Sequence, residues 1–242
     1  KASPAGMMDW TKIGDETVDL LRRYLRIDTT NPPGNETEGA RFLAQVLDGD
    51  GIASETAELA PGRGNLVARL EGDGSLGGIV LHHHIDVVYA DQRYWTVDPF
   101  GGLLRDGYLY GRGAIDDKGM LAANLMTMLL LKRALSQAGG SLSRDVVFLA
   151  TSDEEAGGEW GMGWLVKHHP DLLDAEFALN EGGRTRIIDG GQRYLAVQSA
   201  EKVSHVVTVT ARGSAGHAHM IAIGDGEFDA GSDPRADGGA LA

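Results

Sequence analysis

Cysteine is absent from all 242 residues. That excludes disulfides and thiolate metal sites, so any metal must be held by His, Asp or Glu. Basic residues are scarce as well: 22 Lys and Arg stand against 35 Asp and Glu, a formal net charge of -13. Such a surface repels nucleic acid and anionic membranes, and no nucleic-acid partner is expected. Long apolar runs are also missing. The most apolar stretch, Gly119 to Leu131, is shorter than the roughly 20 residues that cross a bilayer and contains Asn124 and Thr127. No membrane span is expected. The opening KASPAGMMDWTKIGDE has no apolar run of the kind a secretory signal needs, and the expected location is cytoplasmic.

What is present suffices for a folded protein. Hydrophobic residues make up 42% of the chain, enough for one large domain or two small ones. Glu16 to Ile27 places Val18, Leu21 and Leu25 on one helical face, and NPPG at Asn31 to Gly34 stops that helix. A second helix is expected from Glu36 to about Leu47, with strands at Asn65 to Leu70 and Gly78 to Val88. Met120 to Leu135 is apolar nearly all round, as a buried helix would be, and DVVFLAT at Asp145 to Thr151 and EFALN at Glu176 to Asn180 read as further strands. Continuously apolar strands alternating with helices predict an α/β layered domain with a mostly parallel sheet, covered on both faces, with functional groups at the carboxyl ends of the strands. After Gly190, RYLAVQ and SHVVTVTA alternate as one-face-exposed strands do, which predicts a second, antiparallel element beginning near Ala200 to Ser204. The expected organisation is thus a domain over residues 1–201, the start of another over 202–220, and an irregular Gly/Asp/Ala-rich tail over 221–242.

The stretch LHHHIDVV, Leu81 to Val88, sets three histidines and an aspartate into a buried strand. Alternation puts His82, His84 and Asp86 on one face and His83 on the other. His84 and Asp86 lie nearest the carboxyl end, with His82 about 7 Å further back by strand rise, so His84 is the better ligand candidate. GRGAIDDKG, Gly111 to Gly119, brings Asp116 and Asp117 to the start of the apolar helix; one can cap that helix, which leaves one spare. DEEAGG, Asp153 to Gly158, follows a strand and sets Glu154 beside Glu155 with diverging side chains. One of the two can bind metal while the other stands off as a base for a metal-activated water. ALNEGG repeats the arrangement with Glu181. One histidine with several carboxylates is the ligand set expected of a zinc pair bridged by a carboxylate.

TNPPGNE, HHIDVV, the stretch from Trp95 through DPFGG, DGYLYGRGAIDDKG, SDEEAGG, NEGG, VQSAEKV and RGSAGHA follow one another in an order that resembles the di-zinc exopeptidase and aminoacylase family. That family includes carboxypeptidase S, aminoacylase, glutamate carboxypeptidase, acetylornithine deacetylase and succinyl-diaminopimelate desuccinylase. The resemblance covers Thr30 to about Met220. It implies a three-layer zinc-exopeptidase-like catalytic domain and the beginning of an α+β lid domain. It also implies that His84 and Glu181 hold one zinc, Asp116 bridges two, Glu155 binds the second, and Glu154 is the general base. Asp86 would orient the His84 ring, and His217 would steady the oxyanion from the lid, often across a homodimer. The implied reaction is hydrolysis of amide bonds in N-acyl amino acids or small peptides with a free carboxylate. The chain departs from the family at Tyr89 and Ser204, where proline is common, and after Met220, where the pattern stops before the late histidine that completes the second zinc site. A C-terminally truncated or frame-shifted product is the expectation that follows, with a catalytically incompetent metal-binding fragment as the alternative function.

Overall fold

A computed structural model describes residues 8–182, 184–188, 191, 193–196, 208–211 and 228–231. The chain divides into two compact units, Lys1–Glu181 and Gly182–Ala242. The first opens with helix α1, Trp10–Leu25, which starts at Trp10 rather than Glu16 because the Asp9 carboxylate accepts from the Lys12 N–H at 3.2 Å and caps it there. Its buried face also differs from the expected one. Leu20, Tyr24 and Leu25 point inward while Val18 is exposed, because the Tyr24 ring, amphipathic in sequence, is stacked on Phe42 with centroids 5.4 Å apart.

Helix α2 (Glu36–Gly49) and strands β1 (Ser54–Glu58), β2 (Gly64–Leu70) and β3 (Ile79–His84) follow. A short hairpin of β4 (Leu103–Arg105) and β5 (Tyr108–Tyr110) precedes helix α3 (Lys118–Ala138), strand β6 (Val146–Thr151), helix α4 (Met162–His168) and strand β7 (Phe177–Leu179). The five-stranded sheet has the order β1-β2-β6-β3-β7. β6 pairs parallel with β3 and β3 with β7, whereas β2 is antiparallel to both β1 and β6. β2 thus runs against the other strands of an otherwise co-directional sheet. Among the described residues no helix is long and apolar enough to cross a membrane.

Helices cover both faces, giving the layered α/β architecture the buried strands demanded. On one face Leu20, Tyr24, Leu43, Leu47, Leu121, Leu125 and Met128 from α1, α2 and α3 pack on Leu66, Leu81 and Phe148 of the sheet. On the other, Val80, Val147 and Leu149 meet Leu165 of α4 and the half-buried Met162, Trp164 and Leu172. Arg133 of α3 fastens the three helices of the first layer at one end, donating to both carboxylate oxygens of Glu16 on α1 and of Asp50 at the end of α2.

Among the described residues the second unit shows two antiparallel pairs, β8 (Arg184–Ile187) with β9 (Arg193–Ala196) and β10 (Thr208–Ala211) with β11 (Phe228–Gly231). The antiparallel character expected after Gly190 is visible in these pairs, and β11 lies within the stretch for which no regular element was expected. The domain boundary expected near Ala200 to Ser204 and the lid histidine His217 lie outside the described residues.

His83 is the misfit of the core. It is fully buried against Phe148, ring centroids 4.5 Å apart, and neither ring nitrogen has a hydrogen-bond partner among the described residues. Burial, then the neighbouring His82 and His84, hold its pKa well below the ordinary 6.5. As pH falls through about 6.5 the unfolded chain therefore takes up a proton that the folded chain refuses, and stability is lost toward lower pH. Replacing His83→Leu removes both the orphaned nitrogens and this linkage. It should raise stability by about 1 kcal/mol at pH 7, and the advantage should widen below about pH 6.5. Urea unfolding of both proteins at pH 7.5 and 5.5 checks this; a variant less stable at both values contradicts it.

Candidate metal centre

The parallel strands β3, β6 and β7 deliver their carboxyl ends side by side, and the start of α3 comes up against them. His84 is the last residue of β3 and is buried. Its Nδ1 lies 2.9 Å from the Asp86 carbonyl oxygen. A carbonyl only accepts, so Nδ1–H donates, and Nε2 faces the carboxylates, to which it donates as N–H while no metal occupies it. Around Nε2 stand Asp116 Oδ1 at 3.0 Å, Glu181 Oε2 at 3.5 Å and Glu154 Oε2 at 4.0 Å.

His82 occupies the same face of β3 but serves a different purpose. Its Nδ1 is 2.8 Å from Asn180 Oδ1 and its Nε2 is 2.9 Å from Thr151 Oγ1. Because the amide oxygen must accept, Nδ1–H donates and the Thr151 hydroxyl donates to Nε2. His82 so ties the residue before Glu181 to the end of β6. Burial first of all lowers its pKa, in keeping with a neutral ring.

The turn before α3 is set by Gly113, whose φ of +83° lies in the left-handed region and whose added Cβ would sit 2.7 Å from Val87 Cγ1. Lys118, fully buried at the first turn of α3, donates from Nζ to the carbonyls of Ile27 at 2.7 Å and Tyr24 at 3.4 Å and lies over the Tyr24 ring. It anchors the Asp116–Asp117 turn to the C-terminal end of α1, where backbone carbonyls favour a cation. Burial pushes its pKa down to about 7. Nothing in the spacing of DDKG marks this lysine as buried.

Asp117 was expected to be either a helix cap or the spare aspartate of the pair, and the geometry decides between these. It precedes α3 but makes no side-chain capping bond among the described residues, and its buried Oδ2 has no partner there. Two groups of potential ligand atoms, each within 4.8 Å of one another, result: His84 with Asp116 and Glu155, and His84 with Asp117 and Glu181. Every metal-ligand candidate drawn from the sequence, His84, Asp116, Glu155 and Glu181, falls in one of the two, and Asp117 is the addition. The tandem aspartate was the only signal for it.

Asp86 is buried, and both its carbonyl and its carboxylate lie against the His84 ring. The nearer acceptor for His84 Nδ1 is its carbonyl; the carboxylate Oδ1 is 3.4 Å away. The carboxylate itself accepts from Asn31 Nδ2 and from the backbone N–H groups of Glu154 and Glu155. β3 has ended by then: Ile85 N–H still bonds Thr151 O, but Val87 pairs with Thr30, so strand alternation no longer governs Asp86.

The charge balance of the site calls for a cation. Burial works against a charged His84, but the Asp86, Asp117 and Glu154 carboxylates overcome it and raise its pKa to about 10. Burial also raises Asp117 to about 7, with Glu181 and Asp116 adding to it against the pull of His84. Glu154 and Glu155 are raised too, by burial first and then by neighbouring carboxylates. An orphaned buried carboxylate oxygen, one outward-facing imidazole nitrogen and an all-nitrogen-and-oxygen donor set fit a divalent metal such as zinc.

Comparison with known proteins agrees. The family model described as Peptidase family M20/M25/M40 matches residues 80–219, more than half of the chain. The chain belongs to the M20 peptidase family. Pig (Sus scrofa) aminoacylase-1 is 36% identical over 170 residues, 69% of this chain and 40% of that protein. A probable succinyl-diaminopimelate desuccinylase of Staphylococcus aureus is 32% identical over 215 residues, 88% of this chain and 49% of that protein. The crystal structure of human carnosine dipeptidase 1 superposes with a TM-score of 0.57 at 26% identity, covering 69% of this chain and 38% of that one. This M20 chain therefore spans about half the length of the curated relatives it matches.

A metal that takes the Nε2 lone pair must displace the proton the carboxylates hold there. Adding zinc to the metal-free M20 chain at pH 7 should release about one proton or more per chain, because His84 is charged well above that pH. Calorimetry in buffers of differing ionisation enthalpy measures the release; zinc binding without it contradicts the charge state assigned to His84.

Proposed function

We propose that the chain carries the catalytic centre of a metal-dependent hydrolase that cleaves amide bonds in N-acyl amino acids or small peptides with a free carboxylate. The observation that carries the reading is the convergence of His84 Nε2, Asp116, Glu155 and Glu181 at the ends of three neighbouring strands and one helix. Membership of the M20 family and likeness to an aminoacylase and a desuccinylase support it.

Zinc is the metal proposed: on the family resemblance His84 and Glu181 would hold one ion and Glu155 a second, and Asp116 would be shared by both. When bound, such ions polarise a carbonyl and acidify water. The rest is done by the chain's own groups. Glu154 belongs to neither ligand group and lies 4.0 Å from His84 Nε2 with its side chain half-exposed. Its pKa, raised by burial and by Glu181, Asp86 and Asp116 against the pull of His84, suits a base that takes a proton from water and returns it to the leaving amine. Asp86 keeps the Glu154 backbone in place through the N–H bond at 3.1 Å. His217, from RGSAGHA, is proposed to donate to the developing oxyanion, on the family resemblance of that motif.

A second reading, metal binding without turnover, has one specific observation in its favour: both ligand groups share His84, the only imidazole in either among the described residues. The two are separated by metal analysis alongside an N-acyl amino acid hydrolysis assay. About two zinc ions per chain with turnover supports the hydrolase, and about one without turnover supports the second reading. Within the hydrolase reading, Glu154→Gln should lower kcat by at least about 100-fold while zinc content stays unchanged. Retained turnover in that variant contradicts the assignment of the base.

A further inference from the structure

The motif TNPPGNE has no part in the chemistry so far, yet it is packed directly behind it. Thr29 Oγ1 donates to Ile85 O at 2.8 Å, and the backbone of Thr30 and Asn31 pairs with Val87, so the segment is laid along the chain that leaves β3. This puts the Asn31 side chain between two buried carboxylates. Its Nδ2 lies 2.8 Å from Asp86 Oδ2 and 3.1 Å from Asp153 Oδ1. Carboxylate oxygens accept, and the Asn31 NH₂, with two N–H groups, can donate to both.

Both neighbours of Asn31 act on the turn that carries Glu154 and Glu155. Asp86 accepts from the N–H of Glu154 at 3.1 Å and of Glu155 at 3.0 Å. Asp153 is the residue where the chain swings out of β6, at a φ of 70° in the left-handed region, a conformation unfavourable for a residue with a Cβ unless surrounding contacts hold it. Those contacts are present on every side. Its N–H donates to Glu36 Oε1 at 3.3 Å, its Oδ2 accepts from Trp160 N–H at 3.2 Å, and its Oδ1 faces Asn31 and, at 3.4 Å, Arg63 Nη1. Arg63 also donates to the fully buried Glu36 at 2.7 Å. The polar chain runs without a gap from Arg63 and Glu36 through Asp153 and Asn31 to Asp86 and the two glutamate amides.

We propose that Asn31 is a positioning residue that cross-links Asp86 to Asp153 and, with Arg63 and Glu36 holding Asp153, fixes the Glu154–Glu155 turn against His84 and Asp116. Among the described residues Asn31 Oδ1 and Glu36 Oε2 have no partner, so the arrangement rests on the donors the network does have and loosens when one of them is lost. Removing the Asn31 amide leaves two buried carboxylates facing each other with nothing between them. The consequence reaches Glu154 and Glu155 through their backbone, without Asn31 touching substrate.

This inference rests on the hydrolase reading for its effect on rate, but its geometric core does not. The test is residue-resolved amide exchange in the nitrogen-15-labelled full chain, beside hydrolysis of an N-acyl amino acid by the zinc-loaded protein. In Asn31→Leu the Glu154 and Glu155 amides should exchange at least about ten times faster, while Phe148 in the middle of β6 is unchanged. Should Asn31→Leu unfold, seen as loss of protection at Phe148 also, the smaller Asn31→Ser and the remote Arg63→Met are read in its place and should give the same local pattern. In hydrolysis, kcat per folded chain, with the folded fraction read from protection at Phe148, should fall about 10- to 100-fold with KM unchanged, and Arg63→Lys should recover part of what Arg63→Met loses. Unchanged exchange at Glu154 and Glu155 in the folded variants overturns the proposal. A wild-type chain without turnover overturns the hydrolase reading alone, since the exchange pattern still decides the network.

Discussion

Carboxylates do not gather in a half-buried space without something positive to hold them, and here Asp86, Asp116, Asp117, Glu154 and Glu181 all bear on one imidazole, His84. Bringing like charges together out of water raises the free energy of each, as the raised pKa values of Asp117, Glu154 and Glu155 record. A proton on His84 offsets part of this, and a divalent cation offsets far more. The rest of the first unit follows from that requirement. Parallel strands supply adjacent carboxyl ends, glycine-rich turns allow their backbones to approach, and buried polar groups behind them keep the side chains from drifting apart.

Two of those buried groups work in opposite directions along the chain. Lys118 pulls the Asp116–Asp117 turn down onto the end of α1 through the Ile27 and Tyr24 carbonyls, and His82 draws Asn180 toward Thr151. Asn31 and Asp86 hold the third arm, the Glu154–Glu155 turn. Each arm is therefore fixed by a neutral or singly charged donor set one step removed from the ligand atoms. Orientation of ligands by such outer contacts is a general feature of metal sites, and it accounts for the polar side chains buried at this end of the sheet, whereas His83, packed against Phe148, has no hydrogen-bond partner among the described residues.

Much of the architecture was legible in residue patterning. The strands around LHHHIDVV and DVVFLAT and the apolar helix after DDKG lie where continuous apolarity put them, and strand alternation together with the carboxyl-end rule ranked His84 above His82 and His83. The glutamates of DEEAGG and NEGG stood out because they follow strands directly. What stayed hidden depends on contacts distant in sequence. Tyr24 rather than Val18 faces the core because Phe42 and Lys118 receive its ring; Asp86 meets the His84 ring through its carbonyl as well as its carboxylate because β3 ends at His84 and alternation no longer places Asp86; the direction of β2 against its neighbours is a matter of pairing that no local period reports. Asn31 reads locally as part of the NPPG turn that stops a helix, Lys118 carries no local mark of burial, and only the fold turns them inward.

The central claim is that His84 and its carboxylates hold metal, and anomalous diffraction at the zinc edge from crystals of the zinc-loaded chain tests it most directly. The account predicts zinc bound to His84 Nε2 and to oxygens of Asp116, Glu155 or Glu181 at about 2.0–2.2 Å. Zinc bound elsewhere, with His84 Nε2 still paired only to carboxylate, would contradict it.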